Sequence, residues 1–136
     1  MPTRITGSGH RVVASVGDMS YRNKQHEILF HRHERNPILT AEVWPYPANT
    51  VFNPGAVRLS DGSTVLLCRV EDRRGHSHLT VARSADGITD WKIDPEPSFA
   101  PDPDKYPEEH WGLEDPRVTY LEELGKYAIV YTAYSR

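Results

Sequence analysis

From residue 56 onward apolar and polar residues alternate with a period of two, which is the spacing of half-buried strands rather than helices. Val57 and Leu59 before, and Val65 and Leu67 after, flank Asp61-Gly62. An Asp-Gly pair between alternating apolar runs is the strongest short-range hairpin signal. The second strand ends at Arg69, Glu71 and Asp72, and Arg73-Arg74-Gly75 turns the chain. A third strand over residues 78–83 sets Leu79 and Val81 on one face. Ala85-Asp86-Gly87 turns again, and Trp91-Lys92-Ile93 gives a short fourth strand. Four antiparallel strands in about 40 residues have the size of one β-propeller blade.

A second hairpin follows over residues 117–121 and 126–134, joined by Glu122-Glu123-Leu124-Gly125. Its last strand turns Ala128, Val130 and Thr132 one way and Tyr127, Ile129, Tyr131 and Ala133 the other. Both faces are largely apolar, which predicts a sheet packed between neighbours. The expected fold class is therefore all-β: the first one to two blades of a propeller, incomplete in this chain. Before residue 56 the pattern is weaker. Residues 1–27 read as a partly irregular leader with a short strand over 11–16, and 28–136 as the propeller domain. Ile28-Leu29-Phe30 is a brief apolar patch, suited to a short helix or an edge strand. Prolines 37, 45 and 47 exclude a regular helix over the following loop, whose Trp44 and Tyr46 either stack on a sugar or cover a core edge. Residues 94–110 carry five prolines; a loop longer than about 12–15 residues is usually functional or disordered, and this one is placed to wall a site.

Composition narrows the functions. The chain has 136 residues, 38% hydrophobic and 26% charged, with a net charge of −3. That is one ordinary domain with no electrostatic footprint for nucleic acid. Its single cysteine, Cys68, lies in an apolar run, where an inert buried thiol is expected; a reducing, cytoplasmic setting fits. Residues 1–9 lack the apolar core of a secretory signal, and no run reaches membrane-spanning length. His31 and His33 would share a strand face but lack a third ligand nearby, so no metal site is expected.

The stretch with the most chemistry is Trp111-Gly112-Leu113-Glu114-Asp115-Pro116-Arg117. Pro116 has no N–H and suits the first residue of a strand. It excludes the α region for Asp115 and predicts an extended backbone there. A carboxylate fixed at a strand mouth is suited to proton transfer. The same residues also read as solvated loop acids with Arg117 as their ion partner. Likewise Arg69 reads as an ion partner of Glu71 or Asp72, and Asn53 as a turn former.

Taken together, Asn36-Pro37-Ile38-Leu39, Val51-Phe52-Asn53-Pro54-Gly55-Ala56, Arg69-Val70-Glu71-Asp72, Ser84-Ala85-Asp86-Gly87 with Trp91, and Gly112-Leu113-Glu114-Asp115-Pro116-Arg117 resemble glycoside hydrolase family 130, the β-mannoside phosphorylases and their hydrolase relatives. The resemblance implies a five-bladed propeller with the sugar site in its central cavity, of which this chain would supply the N-terminal part. It implies an inverting phosphorolysis that releases α-mannose 1-phosphate from β-mannosides, with inorganic phosphate as co-substrate and no other cofactor. Hydrolysis on the same scaffold, or a non-catalytic sugar-binding module, are the alternatives. Asp115 matches the family's general acid, and Asn53 and Arg69 match residues that hold the sugar. His78, Arg73 and Ser77 lie in or near the loop after Arg69 and would touch the sugar or shape its pocket, with Glu114 and Arg117 behind them. The implied partners are a mannose-containing oligosaccharide and phosphate, with neither nucleic acid nor membrane, and a homo-oligomer is compatible. A general acid of this kind commonly has a raised pKa. The isolated chain is expected to be inactive, because an incomplete propeller leaves apolar faces and a strand edge uncovered.

Overall fold

The computed structural model of the protein describes residues 29–135. The chain divides into two units, Met1–Glu34 and Arg35–Arg136. The expected leader over 1–27 and its short strand lie outside the described residues. Within 29–34 no strand or helix forms, and Leu29 and Phe30 are exposed.

The second unit is all-β. Its strands are β1 (Thr50–Arg58), β2 (Thr64–Glu71), β3 (Ser77–Ser84), β4 (Lys92–Ile93), β5 (Gly112–Leu121) and β6 (Lys126–Tyr134). Short 3-10 turns lie at Ala41–Val43, Pro107–Glu109 and Glu122–Leu124, and there is no α-helix among the described residues. The sheet order is β1-β2-β3-β5-β6, with β4 also on β3. β1 to β4 form an antiparallel meander, as in a propeller blade, and β5–β6 is a further antiparallel pair. Among the described residues the sheet does not close on itself.

An aspartate closes each tight turn of the meander by the same local bond. Asp61 accepts from the Ser63 N–H, Asp72 from the Arg74 N–H and Asp86 from the Ile88 N–H. A short acidic side chain that reaches the amide two residues on mimics a backbone turn. This is why the turns fall where the sequence places them.

Two strands depart from expectation in the same way. β1 begins at Thr50, ahead of residue 56 where the alternation starts, and β5 begins at Gly112, not at Pro116. Each proline sits inside its strand at a register shift, between Phe52 and Gly55 in β1 and between Glu114 and Arg117 in β5. A bulge already breaks the ladder, so the missing proline N–H costs no hydrogen bond there. The residue before each proline is not extended either: φ is 45° at Asn53 and 47° at Asp115. Proline excludes the α region for its predecessor, but the left-handed region stays open, and Asn and Asp tolerate it best after glycine.

The core lies on both faces of the meander, as period-two alternation requires. One face buries Trp44, Cys68, Val70 and Ala82, with Tyr46, Val51 and Trp91 packed around them. The other buries Leu67, Leu79 and Leu113, with Val81 and Val118. Trp44 and Tyr46 thus cover a core edge. Cys68 is buried, and burial pushes its thiol up to about 12.

Residues 94–110 are laced down. Phe99 exchanges backbone bonds with Leu79, the Asp94 N–H donates to Val81 O, and the Val81 N–H donates to Ser98 Oγ. The outer edge of β3 is thereby satisfied. Farther along, the buried Glu109 accepts from the Asp102 N–H and from the Tyr131 hydroxyl of β6. β6 is not covered on both faces, as its alternation suggests: it ends the sheet order, and Val130 is 67% exposed.

Candidate active site

Alternation along β2 puts Arg69 on the same face as its cross-strand partners, Phe52 of β1 and Leu79 of β3. There the guanidinium meets four groups. Its Nε donates to Ser77 Oγ at 3.0 Å, Nη2 to Glu114 Oε1 at 2.7 Å and Nη1 to Asp115 Oδ1 at 3.2 Å. Its Cζ lies over the Phe52 ring, 4.5 Å from the centroid. The Arg69 side chain is only 13% exposed. A cation so enclosed is tolerated because two carboxylates and a hydroxyl compensate it. Arg69 therefore spends its donors on protein groups first.

Asp115 is brought to this cation by the bulge. The left-handed turn at residue 115 aims its carboxyl across to β1, where Asn53 Nδ2 donates to Oδ1 at 2.8 Å. Oδ1 thus takes both Asn53 and Arg69. Among the described residues nothing donates to Oδ2, and the side chain is 42% exposed. The Asn53 bond, against some opposing burial, and then the bond and charge of Arg69 hold the carboxyl below its ordinary range, with Arg117 adding a little. The raised value expected of a general acid is thus not what this site imposes. With a donor and two cations around it, the ionised form is favoured.

Close backbone contacts keep β5 in place. A Cβ on Gly55 would lie 2.8 Å from the Pro116 carbonyl oxygen, so β1 and β5 pass at a distance only glycine allows. Gly112 is tighter still: its φ is 127°, and a Cβ there would sit 2.2 Å from Ser77 O. Gly112 and Ser77 form the single parallel pair that joins β5 to β3.

The remaining sequence-predicted residues divide. Glu114 joins the cluster through Arg69. Arg117 Nη1 donates to the carbonyl oxygens of Asp115 and Pro116, bracing the bulge from the exposed side. Ser77 is 1% exposed, so it does not face open space. His78 alternates to the opposite face, where its Nε2 lies 2.9 Å from the Tyr46 hydroxyl, apart from Asp115. Burial lowers the His78 pKa, partly offset by the charge of Asp72. Arg73 is exposed on the β2–β3 turn. Phe52 was not foreseen as a site residue. A groove of about 620 Å³ along β1, lined among others by Thr50, Glu71 and Phe52, reaches the base of the Arg69 cluster but not Asp115. Among the described residues no group of His, Cys, Asp or Glu could hold a metal ion, and no helix is long and apolar enough to cross a membrane.

The chain is similar to a glycosyl hydrolase from Bacteroides ovatus known from its crystal structure. The two are 31% identical with a TM-score of 0.63, over 77% of this chain and 34% of that one. The chain thus spans about a third of the length of that relative. No curated protein matches it. The model of the beta-1,4-mannooligosaccharide phosphorylases matches residues 22–136. With that match over most of its length, the chain belongs to this family of carbohydrate-active enzymes, glycoside hydrolase family 130.

Proposed function

We propose that Asp115, held by Asn53 and Arg69, is the proton source in the phosphorolysis of β-1,4-mannooligosaccharides. In that reaction a phosphate oxygen bonds to C1 of the mannose as the glycosidic C–O bond breaks. The departing oxygen takes a proton, and α-mannose 1-phosphate forms with inversion. The observation that carries the reading is the convergence of Asn53 and Arg69 on one oxygen of Asp115, which leaves Oδ2 open. The lowered pKa sets a requirement: the carboxyl must gain a proton before it can give one. An arriving phosphate anion favours the protonated carboxyl by like-charge repulsion, and a bound sugar excludes the water that stabilises the ion. Proton uptake is thereby tied to assembly of the ternary complex.

The matching family model, that of the beta-1,4-mannooligosaccharide phosphorylases, supports phosphate as the nucleophile. An inverting hydrolase would need a second carboxylate to activate water. Hydrolysis remains the second reading because the similar protein from Bacteroides ovatus is a glycosyl hydrolase. In the full-length protein, release of mannose 1-phosphate from β-1,4-mannobiose and inorganic phosphate, compared with Asp115→Asn, tests both. General-acid loss predicts a fall of about 10²–10⁴-fold. Undiminished activity removes Asp115 from the role, and phosphate-independent mannose release favours water.

A further inference from the structure

We propose that Ser77 is a positioning residue for Asp115: its buried hydroxyl sets the plane of the Arg69 guanidinium, and that plane decides where the carboxylate stands. The inference rests on the reading of Asp115 as the acid. Ser77 is 1% exposed. Its backbone is pressed by Gly112, whose added Cβ would lie 2.5 Å from Ser77 N, and its N–H donates to Trp111 O at 3.3 Å. A side chain enclosed in this way does not reach a sugar. Its oxygen accepts from Arg69 Nε instead, at 3.0 Å.

A guanidinium is a rigid planar fork, and Nε is its link to the aliphatic stem. With Nε tied to Ser77 and Cζ seated over the Phe52 ring, rotation about the last stem bond is restricted. Nη1 and Nη2 must then point separately, one to Asp115 and one to Glu114. Once Nε is released, the fork can close on Glu114 alone in a bidentate pair. Glu114 is the nearer partner and, at 20% exposed against 42%, the better shielded. Asp115 would lose its cation and keep only Asn53.

The experiment compares Ser77→Ala, Ser77→Thr and Phe52→Leu with the unaltered sequence, each in the full-length protein, using β-1,4-mannobiose and inorganic phosphate. In Ser77→Ala the Asp115 carboxyl titrates at higher pH, so the falling limb of the kcat profile moves to higher pH. kcat drops by up to about 100-fold from misplacement, while KM holds. Ser77→Thr keeps the hydroxyl and restores both. Phe52→Leu moves the limb in the same direction and decides the matter should Ser77→Ala not fold. A carboxyl ¹³C titration, with the Asp115 signal assigned by its absence in Asp115→Asn, reads the same displacement without turnover. If the limb and the titration stay put in both Ser77→Ala and Phe52→Leu, Ser77 is only structural and the inference is overturned. Full activity in Asp115→Asn would overturn the acid reading instead, and the titration alone would then decide the role of Ser77.

Discussion

Asn53 and Asp115 are the same structural device used twice. Each precedes a proline, each sits at a bulge in its strand, each has a left-handed φ (45° and 47°), and the amide of one donates to the carboxylate of the other at 2.8 Å. Strained non-glycine residues of this kind cost on the order of 1–3 kcal/mol and persist where the surroundings over-determine them. Here the over-determination comes from each other, from Arg69, and from the Gly55–Pro116 contact between the two strands.

Changing Asn53 to Asp tests that relationship. Aspartate tolerates the left-handed region as asparagine does, so the backbone is kept. The donor becomes a second acceptor, and two carboxylates share one space. Like charges so close cannot both ionise, so the pair retains a proton to higher pH than Asp115 does alone. The falling limb of activity against pH is expected to move upward in Asn53→Asp, measured by kcat/KM profiles. An unmoved limb would show that the two side chains do not meet in solution.

The β5–β3 junction is tested by comparing two glycines. Gly112→Ala drives a methyl into the backbone of Ser77, which cannot swing aside, and the expected loss exceeds about 3 kcal/mol. Gly75 also has a positive φ, 83°, but nothing lies within 4 Å of an added Cβ. Gly75→Ala should therefore show only the conformational cost, about 1–2 kcal/mol. Denaturant midpoints of the two variants give the comparison, and equal losses would mean that β5 is not pressed against Ser77.

The hairpins were legible because local chemistry fixes them. Asp61, Asp72 and Asp86 bond amides two residues away, and the alternation between the turns needs no tertiary information. The site was half legible. Asn53, Arg69 and Asp115 could be named from motifs, but their geometry depends on two bulges. If the β1–β2 register set by the Asp61-Gly62 turn ran on unbroken, Asn53 would stand opposite Arg69; the bulge puts Phe52 there instead. That one-residue shift places an aromatic ring under the guanidinium and turns Asn53 toward Asp115. His78 departs from expectation for a related reason. The sequence groups it with the loop after Arg69, but it lies within β3 next to Ser77, and adjacent strand residues face opposite ways, so its ring stands on the face away from Arg69, against Tyr46. The lowered pKa of Asp115 depends on contacts more than forty positions apart in the chain, which no local pattern encodes.

Asp86 gives an acid-dependent stability with a definite sign. Its carboxylate accepts from the Thr89 and Ile88 amides, the Thr89 hydroxyl and the Ser84 hydroxyl, and these bonds hold its pKa far below the ordinary value. A folded pKa below the unfolded one contributes stability that is present above the unfolded value, about 3.9, and is lost as pH falls through the folded value. Asp86→Asn lacks the charge. Its melting temperature should fall below that of the unaltered protein at neutral pH, and the gap should narrow once the pH drops under about 4. A gap that is constant with pH would mean that the turn is held by shape alone.

His78 has the same sign of linkage in a different window. Burial disfavours its imidazolium, and burial outweighs the attraction of Asp72, so the folded pKa is lowered. On the sheet face away from Asp115, the ring lies against Tyr46, whose hydroxyl is 2.9 Å from Nε2 and 2.5 Å from Thr80 Oγ1. Below the unfolded pKa of about 6.5 the unfolded chain binds a proton that the folded chain refuses, so stability declines as the solution is acidified through that range. His78→Gln can still bond the Tyr46 hydroxyl but does not titrate. The decline in melting temperature between about pH 7 and pH 5 should therefore be shallower in the variant, while the proposed phosphorolysis, assayed in the full-length protein at neutral pH, is unaffected, because His78 faces away from the carboxylate. A steep loss of activity with an unchanged thermal profile would instead return His78 to the sugar site.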